Sequence, residues 1–262
     1  MCTLTWQIRN DRYDLFFNRD ELVTRAEALP PAVHNHRVRR IYPTDPEGGG
    51  TWIAVNEAGL SACIFNWYSM ETIHHLQPQT PDAETFVSRG TIVSAVSRRT
   101  SIARAEHFVR DLPLLHYRPF MLLLTEPGSR PRLLRWSGEQ LSALQSISPP
   151  ITTSGIDPER ILKRRTQAYQ DLGLSKDGNA AASEDQYNQQ LLKLMTYHRS
   201  RFPDSPGDSV AMKRKEAETV SLTHVAVGNE EICMHYYPGN PGEEAAASHP
   251  PHTVCIPADP GQ

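Results

Sequence analysis

The chain has 262 residues, with 27 Lys and Arg set against 30 Asp and Glu, for a net charge of −3. At 39% hydrophobic and 22% charged residues it has the composition of a globular protein with a real core, and its slight acidity argues against a general nucleic-acid binder. No apolar run approaches the roughly 18 residues needed to cross a bilayer, and the start lacks the basic-then-apolar pattern of a secretory signal. The expected location is the cytoplasm. Four widely spaced cysteines, Cys2, Cys63, Cys233 and Cys255, contain no C-x-x-C and suit free thiols better than disulfides or a zinc site. Short basic clusters at 36–40, 163–165 and 213–215 read as solvated faces.

In chain order, "CTLTWQI" and "RYDLFFN" predict a hairpin turning at "RNDR", whose Asn and Asp suit a tight turn. Residues 29–50, rich in Pro, His and Gly, read as a connector. "TWIAVN" and "LSACIFNW" predict a second hairpin around "EAG". Residues 81–112 show helical spacing through Phe86, Val87, Val93 and Val96, then Ile102, Ala105, Phe108 and Val109, with Pro81-Asp82 as the start. "PFMLLLTE" and "RLLRWSG" predict a strand pair split by Pro127-Gly128. A helix over 157–172 opens with Asp157 as cap and Pro158 as first residue. A second covers 184–197. "ETVSLTHVAVG" and "EICMHYYPG" form the last strand pair, and 239–262, rich in Pro, Gly and Ala, reads as a loose tail without core.

Strands and helices thus come in segregated blocks, which predicts an α+β layered fold rather than a βαβ parallel sheet. With no internal repeat and no break in composition, residues 1–238 are expected to form one domain.

Cys2 carries the first chemical question. On strand alternation it shares a face with Leu4, Trp6 and Ile8, as a buried, inert cysteine would. A cysteine second in the chain also invites removal of Met1 by methionine aminopeptidase. The thiol and a free α-amine would then sit on one residue. That amine, with a pKa of about 8, could serve as the thiol's own general base. The next strand ends "FFNRDE", and a tight hairpin returns Asn18, Arg19 and Asp20 beside Cys2. A guanidinium and a carboxylate there would tune the thiol. The alternative is a surface Arg–Asp pair closing a strand. In a regular strand these neighbours face opposite sides, so both reach Cys2 only if the strand breaks.

"MCT", "NRDE" at 18–21, "GGTWIAVN" at 49–56 and Asn66 ending the next strand together resemble the NRDE-motif proteins, the transport and Golgi organisation family. The resemblance is strongest over the first seventy residues. It continues weakly in "TTSGIDPERILKRR" and "TVSLTHV". It implies an N-terminal-nucleophile (Ntn) hydrolase fold, a four-layer αββα sandwich of two mainly antiparallel sheets between helical layers. More distantly it is similar to choloylglycine hydrolases and penicillin V acylases. On that pattern Cys2 is the nucleophile, Arg19 and Asp20 are its neighbours, and Asn66 is an oxyanion donor. Asn18 and Trp52 would line the substrate site. Those amidases separate the Arg from the Asp and carry a second Asn mid-chain. Here Arg19 and Asp20 are adjacent, Ser154 of "TTSG" stands where the second Asn would be, and Arg214 is the candidate late arginine.

Other patterns carry less. "EGGGTW" is not a phosphate loop, since no Gly-Lys-Ser/Thr follows, and its glycines suit a tight turn or a close backbone approach. "TTSG" is not a nucleophile elbow. His34, His36, His74 and His75 read as solvated, Cys63 as core, and no metal site is expected. Trp52, Phe65 and Trp67 suit either an acyl pocket or core packing. The leading expectation is hydrolysis of a non-peptide amide or a thioester in a small acylated substrate, with no cofactor. The alternative, which the resemblance brings in, is a non-catalytic carrier of haem or an acyl-CoA or lipid-type ligand. A degenerate scaffold that keeps only the fold is the third reading.

Overall fold

The computed structural model describes residues 2–67, 86–144, 146–174, 176–178 and 183–259. The opening hairpin forms as expected from β1 (Cys2–Arg9) and β2 (Arg12–Leu22), with Asn10 in the turn at φ 49°. Asn tolerates that left-handed conformation better than most residues. The second hairpin is β5 (Ile53–Asn56) and β6 (Ser61–Asn66), turning at Gly59. Residues 29–50 are not a plain connector. They hold two strands, β3 (Leu29–His34) and β4 (Arg40–Thr44), in which proline tolerance at an edge hides the pattern.

The helical stretch after residue 81 is two helices, α1 (Gly90–Val96) and α2 (Ile102–Arg110), separated by a turn with Ser101 as the second cap. Phe86 and Val87 lie before α1 and are exposed, and the expected start at Pro81-Asp82 falls outside the described residues, as do His74 and His75. Strands β7 (Phe120–Thr125), β8 (Arg132–Trp136), β9 (Leu141–Leu144) and β10 (Ile151–Thr153) follow. Helix α3 (Pro158–Asp171) starts with Asp157 accepting from the Arg160 N–H, and α4 (Glu184–His198) with a Ser183/Gln186 capping box. The chain closes with β11 (Ala217–Val227), β12 (Glu231–Pro238), α5 (Glu244–Ala247) and β13 (His252–Pro257).

All pairings are antiparallel. One sheet has the order β10-β1-β2-β11-β12-β13, the other β3-β4-β5-β6-β7-β8-β9. Alternation along the strands builds the layers. Leu4 and Trp6 of β1 and Tyr13, Leu15 and Phe17 of β2 join Ile53, Val55 and Phe65 in a core between the sheets, with α1 and α2 covering the second sheet through Val93, Val96 and Val109. Phe16 and Leu222 point the other way, into a second cluster with Tyr169, Leu194 and Tyr197 of α3 and α4. The result is an αββα sandwich, the α+β class expected from the block order.

At one end Tyr13 ties the sheets together, its hydroxyl donating to the Gly59 carbonyl (2.7 Å) and lying 2.8 Å from Ser61 Oγ. Cys63 is core, as expected.

The loose tail is overturned. β13 pairs with β12, and Ile256 enters the inter-sheet core. The four-free-thiol reading fails with it, because Cys233 and Cys255 face one another across these strands and form a disulfide. Spacing could not reveal this while β13 was read as tail. A Cys233→Ser/Cys255→Ser variant should lose about 3 kcal/mol of unfolding free energy, the loop-closure value for a separation of 22 residues. Guanidinium titrations of the oxidised parent and the variant check this.

Candidate active site

The β1–β2 register sets Cys2 directly opposite Arg19, while β10 sets Thr153 on its other side. The Cys2 backbone N–H donates to Thr153 Oγ1 at 3.2 Å. Cys2 is at the floor of a cleft of about 380 Å³ that also meets Arg19, Asp20, Trp52, Asn66 and the Asp45 turn. Burial pushes the Cys2 thiol up and outweighs the N-terminal positive charge, which lowers it; the charges of Asp20 and Glu21 add to the rise, against a hydrogen bond from the Asp20 main chain. The sulfur is therefore held as a thiol near neutral pH and needs a base.

Glycine shapes the cleft wall. Gly49 takes the turn at φ 64°, and a Cβ on Gly50 would lie 2.3 Å from the Gly90 carbonyl carbon, so the β4–β5 turn and the start of α1 pack backbone on backbone. Both roles foreseen for the "GGG" run are present. Arg19 lies over the Trp52 ring, 4.3 Å from its centroid, and reaches Glu21 and Asp45 at 3.3 Å. Asp45 also receives Arg25 at 2.6 Å. Burial works against the Asp45 charge, but Arg25 and the Gly48 N–H hold its carboxyl below the usual range.

Asp20 faces away from Arg19. Strand β2 does not break there; the extra residue is Val220 of β11, a bulge between Thr219, opposite Asp20, and Ser221, opposite Arg19. The Asp20 carboxylate accepts from Thr219 Oγ1 (2.6 Å) and lies 3.7 Å from Arg165 Nη1, with both charged side chains fully buried. Burial raises the Asp20 carboxyl, opposed chiefly by Arg165. Arg165 donates to Thr3 Oγ1 (2.6 Å), Thr152 Oγ1 (2.9 Å) and the Asp208 carbonyl (3.1 Å).

Sequence reasoning missed Arg165 by placing 163–165 on a solvated face. The signal was its position on the Ile161, Arg165, Tyr169 stripe, one side of α3, all buried. Arg40, in the 36–40 basic cluster, is also buried.

Of the expected site residues, Cys2, Arg19, Trp52 and Asn66 line the cleft, and Asp20 borders it while its carboxylate faces Thr219 and Arg165. Asn18, Ser154 and Arg214 do not line it. Asn18 faces the helices, donating to the carbonyls of His198 (2.9 Å) and Val210 (3.0 Å), with its oxygen 3.0 Å from His198 Nδ1. Ser154 closes a turn, donating to the Ile156 carbonyl at 2.6 Å. Arg214 clamps the Gly207 carbonyl at 2.7 and 2.9 Å, and its charge is felt at Asp20. Glu21, the last residue of the NRDE motif, also lines the cleft, as do Arg25, Asp45, Arg89 and Arg118, which no local pattern brings together. No helix among the described residues is long and apolar enough to cross a membrane.

A family model for Transport and Golgi organisation 2 (TANGO2) matches residues 1–238. No curated protein matches the sequence. Among solved structures, the chain is similar to a Caenorhabditis elegans ortholog of N-acylethanolamine-hydrolyzing acid amidase, with 12% identity and a TM-score of 0.53 over 98% of this chain and 100% of that one. It is also similar to a mutant of the conjugated bile acid hydrolase from Clostridium perfringens, with 10% identity and a TM-score of 0.51 over 98% and 92%. At these identities the likeness speaks for the fold, the αββα sandwich of Ntn hydrolases.

Two outcomes follow from the buried polar groups. Arg165→Met should cost about 3–5 kcal/mol, because Asp20 is left buried without its cation. Adding Asp20→Asn should recover part of that loss in urea unfolding. His198 is buried, with burial and then Arg165 lowering its pKa to about 3. The unfolded imidazole takes a proton below about pH 6.5, so between there and about 3 the unfolded chain binds more protons. Stability should therefore fall as pH falls through that window. The His198→Gln variant should show a flatter pH dependence in the same unfolding series.

Proposed function

Because the chain belongs to the Transport and Golgi organisation 2 family and has the Ntn-hydrolase fold, we propose that it hydrolyses a non-peptide amide or a thioester in a small acylated substrate, with Cys2 as nucleophile once Met1 is removed. One observation carries this reading: Cys2 begins β1 at the floor of a cleft, with Arg19 paired opposite it and Asn66 in the same wall. The cavity, about 380 Å³, is at the small end of ligand pockets and suits a compact acyl group.

Removal of Met1 turns the nitrogen that now donates to Thr153 into an α-amine. With a pKa of about 8, it takes the thiol proton, which burial otherwise retains on sulfur. The thiolate attacks the substrate carbonyl, and the Asn66 side-chain amide donates to the oxyanion. Collapse expels the amine or thiol, which leaves with the proton held on the α-ammonium, and Cys2 becomes a thioester. Water then gives a proton to the α-amine and attacks the thioester. The acid departs and the proton returns to sulfur. Arg19, braced by Trp52, Glu21 and Asp45, orients this wall, and the Asp20–Arg165 pair steadies the strand end beneath it.

The purified protein should have an intact mass short of one methionine residue, and a panel of N-acyl and thioester probes should acylate Cys2. Cys2→Ala should abolish acylation and lower kcat/KM by about 10³-fold or more. Retained Met1 overturns the catalytic reading. Haem or acyl-CoA binding that survives Cys2→Ala, with no turnover of the panel, favours the carrier instead.

A further inference from the structure

At the far end of α1 from the Cys2 cleft lies a second hollow, about 730 Å³, lined by His36, Arg37, Arg98, Arg99, Thr100 and Arg104. We infer that this hollow binds a ligand carrying two or more phosphate groups. Four arginines, from the β3–β4 loop, the α1–α2 turn and the first turn of α2, line it, and no carboxylate of the described residues does. Among the described residues none of the four is paired with an acid. Arg99 rests over Phe108, 4.3 Å from the ring centroid, and Arg104 donates to Thr100 Oγ1 at 2.9 Å.

Several arginines elsewhere on the surface are neutralised by shared carboxylates, whereas here four gather in one concavity without one among the described residues. Arg9 and Arg12 share Glu184, Arg110 and Arg132 share Glu106, and Arg160 and Arg164 share Asp208. Two carboxylates that reach these loops are already engaged. Glu57 holds Arg39, and Glu126 accepts from the Ile102 N–H at 2.8 Å, so the start of α2 is capped and the guanidiniums are what an anion would meet. A chain with a net charge of −3 thus concentrates four arginines in one concavity with no acid partner among the described residues.

The hollow is also built from within. Asn56, at the end of β5 and fully buried, donates to the carbonyls of Ser97 (3.0 Å) and Arg99 (2.6 Å) and accepts from the N–H groups of Ala58 (3.1 Å) and Leu60 (3.0 Å). Its two donor positions hold the Arg98–Arg99 turn, and its oxygen holds the β5–β6 turn beside it, so the two loops are pinned to each other. Buried Arg40 donates to the Ser94 carbonyl at 3.1 Å, and the charge of Arg98 lowers its pKa after burial does. Planar guanidinium forks match phosphate oxygens in pairs, and several on one pinned backbone frame suit a polyphosphate over a single carboxylate. The inference is independent of any chemistry at Cys2.

The test uses the full chain at about 150 mM salt, where exposed charges are screened beyond roughly 8 Å. Calorimetric titration with tripolyphosphate reports the free-ligand arm. Sedimentation with phosphatidylcholine vesicles, with or without phosphatidylinositol 4,5-bisphosphate, reports the headgroup arm. Saturable binding in either arm, at least tenfold weaker in Arg98→Gln/Arg104→Gln and unchanged in Arg110→Gln, supports the site and identifies the source of the phosphates. Absence of binding in both arms, or equal binding by the double variant at unchanged melting temperature, overturns it.

Discussion

Arg165 ties three neighbouring strands to one helix. Its guanidinium reaches Thr152 of β10, Thr3 of β1 and Asp20 of β2 from a fully buried position on α3. This matters because a strand has a side-chain period of two. A slip of one residue would turn Cys2 from the inter-sheet face to the helix face and carry Leu4 and Trp6 out of the core. The pin therefore sets which side of the sheet the thiol occupies. The pairings of Cys2 with Arg19 and Thr153 follow from the same register.

The opposed faces of β2 divide the charged motif between two jobs. Arg19, on the cleft side, is held by an aromatic ring and two carboxylates in a partly solvated wall. Asp20, on the helix side, is dry and depends on Arg165 and Thr219. Adjacent residues that look like a single charge pair in the sequence act in separate layers. The added residue at Val220 lets β11 follow this change without breaking β2.

Much of this was legible beforehand. The two opening hairpins, the β7–β8 pair, both capped helices and the block order led to the layered α+β fold, because alternation, turn residues and caps are local signals. Cys2, Arg19, Trp52 and Asn66 lie along one cleft, whereas the Asp20 carboxylate faces Arg165 and Thr219 on the helix side. What escaped depends on distant partners. Asn18 is as polar as its neighbours, yet alternation turns it toward His198; Ser154 and Arg214 spend their polar atoms on local carbonyls. Strand β13 is composed like a tail and earns its place only by pairing with β12, and the disulfide appears with it. Arg165 was misread because three basic residues in a row on a helix necessarily point in three directions.

The Tyr13 hydroxyl joins the two sheets at the turn end of β2, whereas Cys2 and Arg19 lie toward the opposite end of the same hairpin. At that end Arg19 spans the same gap, reaching Trp52 and Asp45 in the β4–β5 turn of the second sheet. The inter-sheet space thus has a polar tie at each end, and the residue opposite the thiol is a clasp between the layers as well as a part of the cleft wall.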